Sequence, residues 1–430
     1  MRPRPGVAAI GPHGESGSIS SAADPGEPVV SRRGYVALVA ALVLFVAFEV
    51  YLGSSSGARS GRPDFFYLAD AFLHGRTWLA QQPGPWDVVV IEGRTYVPSA
   101  PFPAVALAPF VALLGPQAAA TWDPVINALL ATAGLALLWQ LAGRLGVASL
   151  ADRAWLLALF GFSTATWWVT MRGGLWHTSH LVASILTFAG LLEAFGRRRP
   201  LVMGLLSGAA FMTRAPLIAA LPYWGWRALP EKIRGALPQG LPEALRVVVR
   251  RGAWLAAGFA PALVFALWYN AARFGNPFES GYGIATLSPE LDGLRRLGVF
   301  SLAHLPMNLD YFLVHLGRQI STFPWFEPDG FGLSVLVTSP GLLLAVRADW
   351  RRRETIALGL TALLVLAPSL FYYGGGFFQF GYRYALDCFP FVMALCAMAA
   401  ARGGIGTGWK VLIAIGVAVN LYGVYWSYTL

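Results

Sequence analysis

Apolar runs long enough to cross a membrane recur along most of this sequence. Hydrophobic residues make up 56% of the 430 residues and charged residues only 13%, whereas roughly a quarter of an ordinary soluble domain is charged. In lipid every backbone polar group must be satisfied internally, so only helices and closed barrels span a bilayer. The runs are rich in Leu, Ala, Val and Gly and lack the alternation of strands. The sequence therefore predicts an all-α polytopic membrane protein.

The apolar pattern predicts about eleven transmembrane helices. Residues 1–33 are rich in Gly, Pro and Ser and are interpreted as a disordered cytoplasmic tail, and residues 34–430 as the transmembrane domain. The fifth and sixth spans are short and predict a helical hairpin whose tip, at Arg214, stays within the bilayer. Residues 101–114 contain three prolines and predict a re-entrant or interfacial segment. The candidate spans are residues 35–52, 122–142, 155–171, 175–195, 201–213, 216–226, 254–272, 331–346, 356–373, 384–401 and 409–428.

The basic residues indicate the orientation of the chain. The formal net charge is +10, but the arginines stand in short clusters between apolar segments and form no stripe for nucleic acid. Basic residues favour the cytoplasmic side, which places the N-terminus in the cytoplasm. Extracytoplasmic loops are then predicted at about residues 53–100, 273–330 and 374–383. The two cysteines, Cys388 and Cys396, lie in one apolar segment and indicate neither a disulfide framework nor a thiolate metal site.

The first of these loops contains a predicted short amphipathic helix at residues 63–74. Pro63 suits the first turn of a helix and Gly75 suits its end. Such a helix is expected to lie flat on the outer leaflet. Its apolar face consists of Phe65, Phe66, Ala69, Phe72 and Leu73, and its polar face, predicted to point away from the lipid, consists of Asp64, Tyr67, Asp70 and His74.

The run from Arg62 to Gly75, with the sequence RPDFFYLADAFLHG, is the sharpest local pattern in the chain. It resembles the GT-C superfamily of membrane glycosyltransferases, especially the family 39 type, which includes protein O-mannosyltransferases and the lipid A aminoarabinose transferase. In that family an acid in the first extracytoplasmic loop, followed by Tyr and an Ala-rich turn ending in Gly, acts as the catalytic base or orients it. The resemblance implies that Asp64 is catalytic and that Tyr67 binds substrate. Alternatively, Asp64 is only a first-turn acid favoured by the helix dipole.

Three further motifs carry the same resemblance. Residues 93–103, GRTYVPSAPFP, are similar to a Gly-x-x-Tyr-x-Pro-x-x-Pro stretch, which implies that Tyr96 shapes the acceptor site. Arg214 matches a Thr-Arg/Lys-x-Pro element, and Arg383 with Tyr384 matches the family's phosphate-gripping Arg-Tyr motif. Arginine suits a lipid phosphate because its planar fork donates two parallel hydrogen bonds. Alternatively, the stretch around Tyr96 is an interfacial turn, and Asp387 simply neutralises Arg383 four residues earlier.

The second external turn departs from the family pattern. Family members often place another acid there, and residues 172–180, RGGLWHTSH, contain none. His177 shares a helical face with His180 and either contacts donor or acceptor or packs as a hydrogen-bonded core residue. Asp87 and Glu92 in the first loop are either auxiliary acids or hydrated loop residues, and Tyr282 is a weak candidate.

Together the motifs imply an inverting glycosyltransferase that moves a hexose or pentose from a polyprenyl-phosphate sugar to a hydroxyl on a glycan, lipid or protein acceptor. A lipid phosphate is a competent leaving group, so neither a metal nor a cofactor is implied. The resemblance places the protein in the cytoplasmic (inner) membrane of a bacterium, with the active site outside. Two alternatives remain. The broken pair of spans around Arg214 also suits a secondary transporter or lipid flippase, and the missing acid suits an inactive scaffold of the same fold.

Overall fold

The computed structural model describes residues 31–55, 61–235 and 241–429, and within them helices dominate. Only the last three residues of the predicted tail fall among the described residues. In chain order the α-helices are α1 (Arg32–Ser54), α2 (Asp64–Leu73), α3 (Phe102–Leu114), α4 (Pro116–Thr121), α5 (Asp123–Arg144), α6 (Leu150–Phe162), α7 (Thr166–Arg172), α8 (Leu175–Ala194), α9 (Pro200–Phe211), α10 (Leu221–Ala228), α11 (Glu231–Gly235), α12 (Leu241–Phe274), α13 (Pro289–Arg295), α14 (Leu305–Leu313), α15 (Val335–Thr338), α16 (Arg353–Leu370), α17 (Phe389–Gly403) and α18 (Thr407–Ser427).

The remaining regular structure is short. Strands β1 (Val89–Ile91) and β2 (Arg94–Tyr96) pair antiparallel, with Val89 opposite Tyr96, and so do β3 (Arg318–Gln319) and β4 (Phe326–Glu327). Both hairpins lie in loops that the sequence places outside the membrane. The 3₁₀ helices of the described residues are Ala215–Ala220, Leu302–His304, Pro340–Arg347 and Arg383–Asp387.

Six helices within the described residues are long and apolar enough to span a bilayer, namely α1, α5, α8, α12, α16 and α18. Helices α6 and α7 form a seventh candidate if they are counted as one span bent by 55°. The prediction of an all-α, multi-pass membrane protein is therefore confirmed. Helices α3, α9 and α17 are apolar but shorter, so the predicted total of about eleven spans stays a prediction.

Residues 331–346 do not form the single spanning helix that the sequence predicted. They contain the four-residue helix α15 and the beginning of the 3₁₀ helix Pro340–Arg347. Proline disfavours helical geometry in the residue before it, and Ser339 has the non-helical angles φ −142 and ψ 46. The apolar run at this place is long enough for a span, but Pro340 interrupts the backbone hydrogen bonding.

Helix α2 exists with nearly the predicted limits, but its predicted orientation is wrong. It packs along α3 instead of lying free on a leaflet. Asp64 is 0% exposed, although the amphipathic pattern placed it on the face that points away from the lipid. Leu68 and Ala71 are also fully buried, so the buried part of the helix is wider than its apolar face. Helices α3 and α4 both pack against α2, so dividing it into one buried and one solvent-facing side does not describe its surroundings.

Candidate active site

A cavity of about 250 Å³ lies where the predicted extracytoplasmic loops meet the junction between α9 and the following 3₁₀ helix. Its wall combines segments that are far apart in sequence: the first loop, the start of α8, the residues after α9, the 273–330 loop and the region after α16. The wall residues are Asp87, Pro98, Ser99, Ala100, Trp176, Thr213, Arg214, Ala215, Pro216, Ser280, Tyr282, Ala285, Leu291, Val299, Phe300, Pro368, Ser369, Tyr372, Tyr373, Gly374, Phe377, Arg383 and Tyr384.

Arg383 is a buried cation in this wall. The residue is 3% exposed, and its Nη1 donates to the carbonyl oxygen of Phe378 at 2.8 Å. Among the described residues, no carboxylate forms an ion pair with Arg383, and its Nε is buried without a hydrogen-bond partner. Burial lowers the pKa of the guanidinium. A desolvated, unneutralised arginine at a cavity wall is suited to binding an anion.

Arg214, at the same wall, is neutralised within the protein. Its Nε and Nη2 donate to Asp387 Oδ2 at 3.0 and 2.9 Å, and His180 Nδ1 lies 3.1 Å from Asp387 Oδ1. The predicted alternative, a pair between Asp387 and Arg383, is wrong. The two residues lie in the 3₁₀ helix Arg383–Asp387, in which residues three apart share a face and residues four apart do not.

Asp87 is the only acidic residue on the cavity wall among the described residues. Its backbone has φ 54, in the left-handed region that Asp tolerates better than most residues, and its N–H donates to the carbonyl oxygen of Thr286 at 2.8 Å. Burial raises the pKa of Asp87, although Arg62 and Arg383 oppose the rise. The described residues hold no group of three or more His, Cys, Asp or Glu side chains that could bind a metal ion.

Aromatic rings form much of the remaining wall. The centroid of Tyr372 lies 6.0 Å from that of Tyr282 and 6.1 Å from that of Tyr384. Arg383 and Arg214 both lie over the Tyr384 ring, at 5.5 and 5.2 Å from its centroid. Tyr384 was predicted as a substrate residue, whereas Tyr372 and Trp176 were missed because their only sequence signal is an aromatic residue next to a predicted external turn.

Asp64 does not line the cavity. Its Oδ2 accepts from Arg62 Nε at 3.0 Å and its Oδ1 from Arg62 Nη2 at 2.6 Å. The carboxylate therefore lies in a closed ion pair, with Asp64 0% and Arg62 8% exposed. The catalytic role that the resemblance implies for Asp64 stays a prediction. Both oxygens of its carboxylate already accept hydrogen bonds from Arg62.

Three other predicted substrate residues lie outside the cavity wall. Tyr67 packs against the apolar cluster between α2 and α3, and Tyr96 on β2 packs beside Val89 and Tyr373. His177 is 2% exposed, and its Nδ1 lies 2.7 Å from the carbonyl oxygen of Gly173. The structure thus brings together Arg214, Arg383 and Tyr384 from the predicted set, and the roles of the others stay predictions.

Comparison with known proteins gives a structural likeness without a family assignment. A scan against protein-family models finds no match for the chain, and a search of curated proteins finds none either. Among solved structures, the chain is similar to the crystal structure of ArnT from Cupriavidus metallidurans bound to undecaprenyl phosphate, with 15% sequence identity and a TM-score of 0.46. The likeness covers 86% of this chain and 61% of that chain. The function proposed below therefore rests on the side chains around the cavity.

Proposed function

We propose that this protein is a membrane glycosyltransferase of the GT-C type, which transfers a sugar from a polyprenyl-phosphate sugar to a hydroxyl acceptor with inversion at the sugar carbon. The observation that carries the proposal is Arg383, a buried arginine at a cavity wall that forms no ion pair with a carboxylate among the described residues. Such a charge is costly in isolation, and an anionic ligand stabilises it. Its Nε is free to donate to that ligand.

The rest of the wall suits the same reaction. The sugar-phosphate bond breaks with its electron pair on the phosphate, and a fixed guanidinium stabilises the charge that develops there. The Tyr282, Tyr372 and Tyr384 rings supply flat surfaces for a sugar. A carboxylate must accept the proton of the acceptor hydroxyl: the resemblance assigns this role to Asp64, and the cavity wall offers Asp87.

The proposal places the reaction at the outer face of a bacterial cytoplasmic membrane. Asp87 and Arg383 both belong to loops that the positive-inside bias puts on one side of the bilayer. The donor then enters from the outer leaflet, and the acceptor is a glycan, lipid or protein of the cell envelope. A transporter requires no bond cleavage, so donor turnover separates the two functions.

Binding of undecaprenyl phosphate to purified protein tests the role of Arg383. Hydrogen bonds to charged groups contribute about 1.5–3 kcal/mol, so Arg383→Ala is expected to weaken binding roughly tenfold to a hundredfold or more. Arg383→Lys is expected to recover only part of this, because it keeps the charge and loses the planar fork. The matched control is Arg318→Ala, whose guanidinium is exposed and ion-paired with Glu327. Parental binding by Arg383→Ala would contradict the proposal.

A further inference from the structure

We infer that Asp87, rather than Asp64, removes the proton from the acceptor hydroxyl, and that Asp64 positions Asp87 through Arg62. This inference rests on the proposed glycosyl transfer. A general base must come within hydrogen-bond reach of the proton it removes. Asp87 lines the cavity that contains Arg383, whereas Asp64 lies outside the wall and is 0% exposed.

One carboxylate oxygen of Asp87 accepts a hydrogen bond that orients the side chain, and the other oxygen can accept a proton. Its Oδ2 accepts from Trp176 Nε1 at 3.1 Å, and within the described part of the chain no group donates to Oδ1. The backbone is fixed as well, since the N–H of Asp87 donates to Thr286 and the next residue, Val88, forms a bridge with Thr286. A carboxylate oriented through one oxygen is pre-organised to accept a proton at the other.

Arg62 connects the two acids. While its Nε and Nη2 bind Asp64, its Nη1 donates at 2.9 Å to the carbonyl oxygen of Trp86, the residue before Asp87. The same guanidinium lies 4.8 Å from the centre of the Trp176 ring, whose N–H orients Asp87. Arg62 thus contacts both the backbone before Asp87 and the indole bonded to it. Asp64 fixes Arg62 in this position and is a positioning residue.

The resulting step is balanced without a further reactant. The acceptor oxygen forms a bond to the sugar carbon while its proton passes to Asp87. The bond between that carbon and the phosphate oxygen breaks, and its electron pair leaves with the polyprenyl phosphate beside Arg383. Protonated Asp87 then returns its proton to water.

The pH dependence of transfer follows from the surroundings of Asp87. Burial raises its pKa, and the groups that act on it are Arg62 and Asp64 before and at the start of α2, Trp176 on α8 and Arg383 after α16. Tyr282 and Tyr373 also face it across the cavity. A base is active when deprotonated. On acidification, turnover should therefore fall at a pH above the pKa of an ordinary aspartate. The Asp64 charge raises the pKa of Asp87 and the Trp176 hydrogen bond lowers it.

These opposite effects define the experiment. Parent, Asp87→Asn, Asp64→Asn, Trp176→Phe and the control Asp70→Asn are reconstituted as full-length proteins with native membrane extract as the source of acceptor. Radiolabelled polyprenyl-phosphate mannose, glucose and arabinose serve as donors. Release of free polyprenyl phosphate and labelling of acceptor are measured across pH and normalised to the folded fraction. Asp70 lies on the same helix as Asp64 but pairs with Arg76.

We expect Asp87→Asn to lose roughly a hundredfold to ten-thousandfold in turnover while it still binds undecaprenyl phosphate. Asp64→Asn should turn over faster than Asp87→Asn, and the pH at which its turnover falls on acidification should be lower than in the parent. In Trp176→Phe that pH should be higher than in the parent. Asp70→Asn should behave like the parent. The assignment would be overturned if Asp87→Asn turned over like the parent, or if only Asp64→Asn lost turnover and did so at every pH. Neither result would contradict the proposed glycosyl transfer. A parent that transfers none of the three sugars would overturn the proposed function and this assignment with it.

Discussion

Asp64 and Arg62 form a buried ion pair whose two charges depend on each other. Both carboxylate oxygens accept from one guanidinium, and both residues are almost fully removed from water. Taking two charges out of water is costly, so such a pair adds little net stability compared with apolar residues. Removing the Asp64 carboxylate is different, because Arg62 then loses the charged acceptor of its Nε and Nη2 hydrogen bonds.

Asp64→Asn is therefore expected to destabilise the protein by roughly 3–5 kcal/mol, the usual cost of breaking a buried pair. Asp70→Asn, on the same helix, should cost less than about 1 kcal/mol because its pair with Arg76 is partly exposed. Thermal unfolding of the purified variants in detergent measures both. The double variant Arg62→Met with Asp64→Leu should recover much of the stability while transfer stays impaired. Equal unfolding midpoints for the two single variants would show that the Asp64 pair is not buried in solution.

Short sequence motifs predicted some of the residues at the cavity and not others. Arg214, Arg383 and Tyr384 were identified from short motifs, and all three lie at the cavity. Asp87 was predicted only as an auxiliary acid or a hydrated loop residue, because nothing adjacent in sequence distinguishes it from Glu92. Its environment comes from Trp176 and Thr286, whose proximity only the folded chain establishes.

Helices α9 and α12 cross closely because glycines line their contact. A Cβ at Gly258 would meet the Leu201 carbonyl oxygen and lie 3.0 Å from the Gly204 Cα, and one at Gly208 would lie 2.8 Å from the Ala262 Cβ. Small residues four apart let helix backbones approach in lipid, where packing replaces the hydrophobic effect as the driving force. This crossing holds α9, and therefore Arg214 beyond its end, in place.

Gly258→Leu is expected to separate α9 from α12 and to lower both the thermal unfolding midpoint and the turnover, because Arg214 follows α9. Gly252→Ala on the same helix is the control, since a Cβ built there meets nothing within 4 Å beyond its own stretch of helix. Unfolding in detergent and donor turnover are measured for both variants. A Gly258→Leu protein as stable and active as the Gly252→Ala protein would contradict the close crossing.

The position of helices was largely predictable, whereas their continuity was not. Long apolar runs with no proline beyond the first turn, such as α5 and α18, match the predicted spans closely. Pro340 divides residues 331–346, and the bend between α6 and α7 divides another predicted span. Hydropathy reports whether a segment can enter lipid, but hydrogen bonding and neighbouring helices decide where it bends.

Residues from all three predicted extracytoplasmic loops line the cavity. Its wall includes Asp87, Tyr282 and Arg383, one from each of the three loops. Charge bias and cavity geometry are independent observations, because the first uses basic residues in loops and the second uses the packing of side chains. Their agreement supports one working face on the molecule.

Labelling of engineered cysteines tests whether that face lies outside the cytoplasm. In a background without Cys388 and Cys396, a cysteine at Gly84 should react with a membrane-impermeant maleimide added to whole cells, and one at Arg352 should react only after the membrane is opened. Gly84 precedes Asp87 by three residues, and Arg352 stands before α16 in a turn rich in arginine. Since Cys388 and Cys396 are buried, retaining them should add little background and provides a check on their removal. Labelling at Arg352 but not at Gly84 in intact cells would place the cavity in the cytoplasm, where the proposed outer-leaflet donor could not reach Arg383.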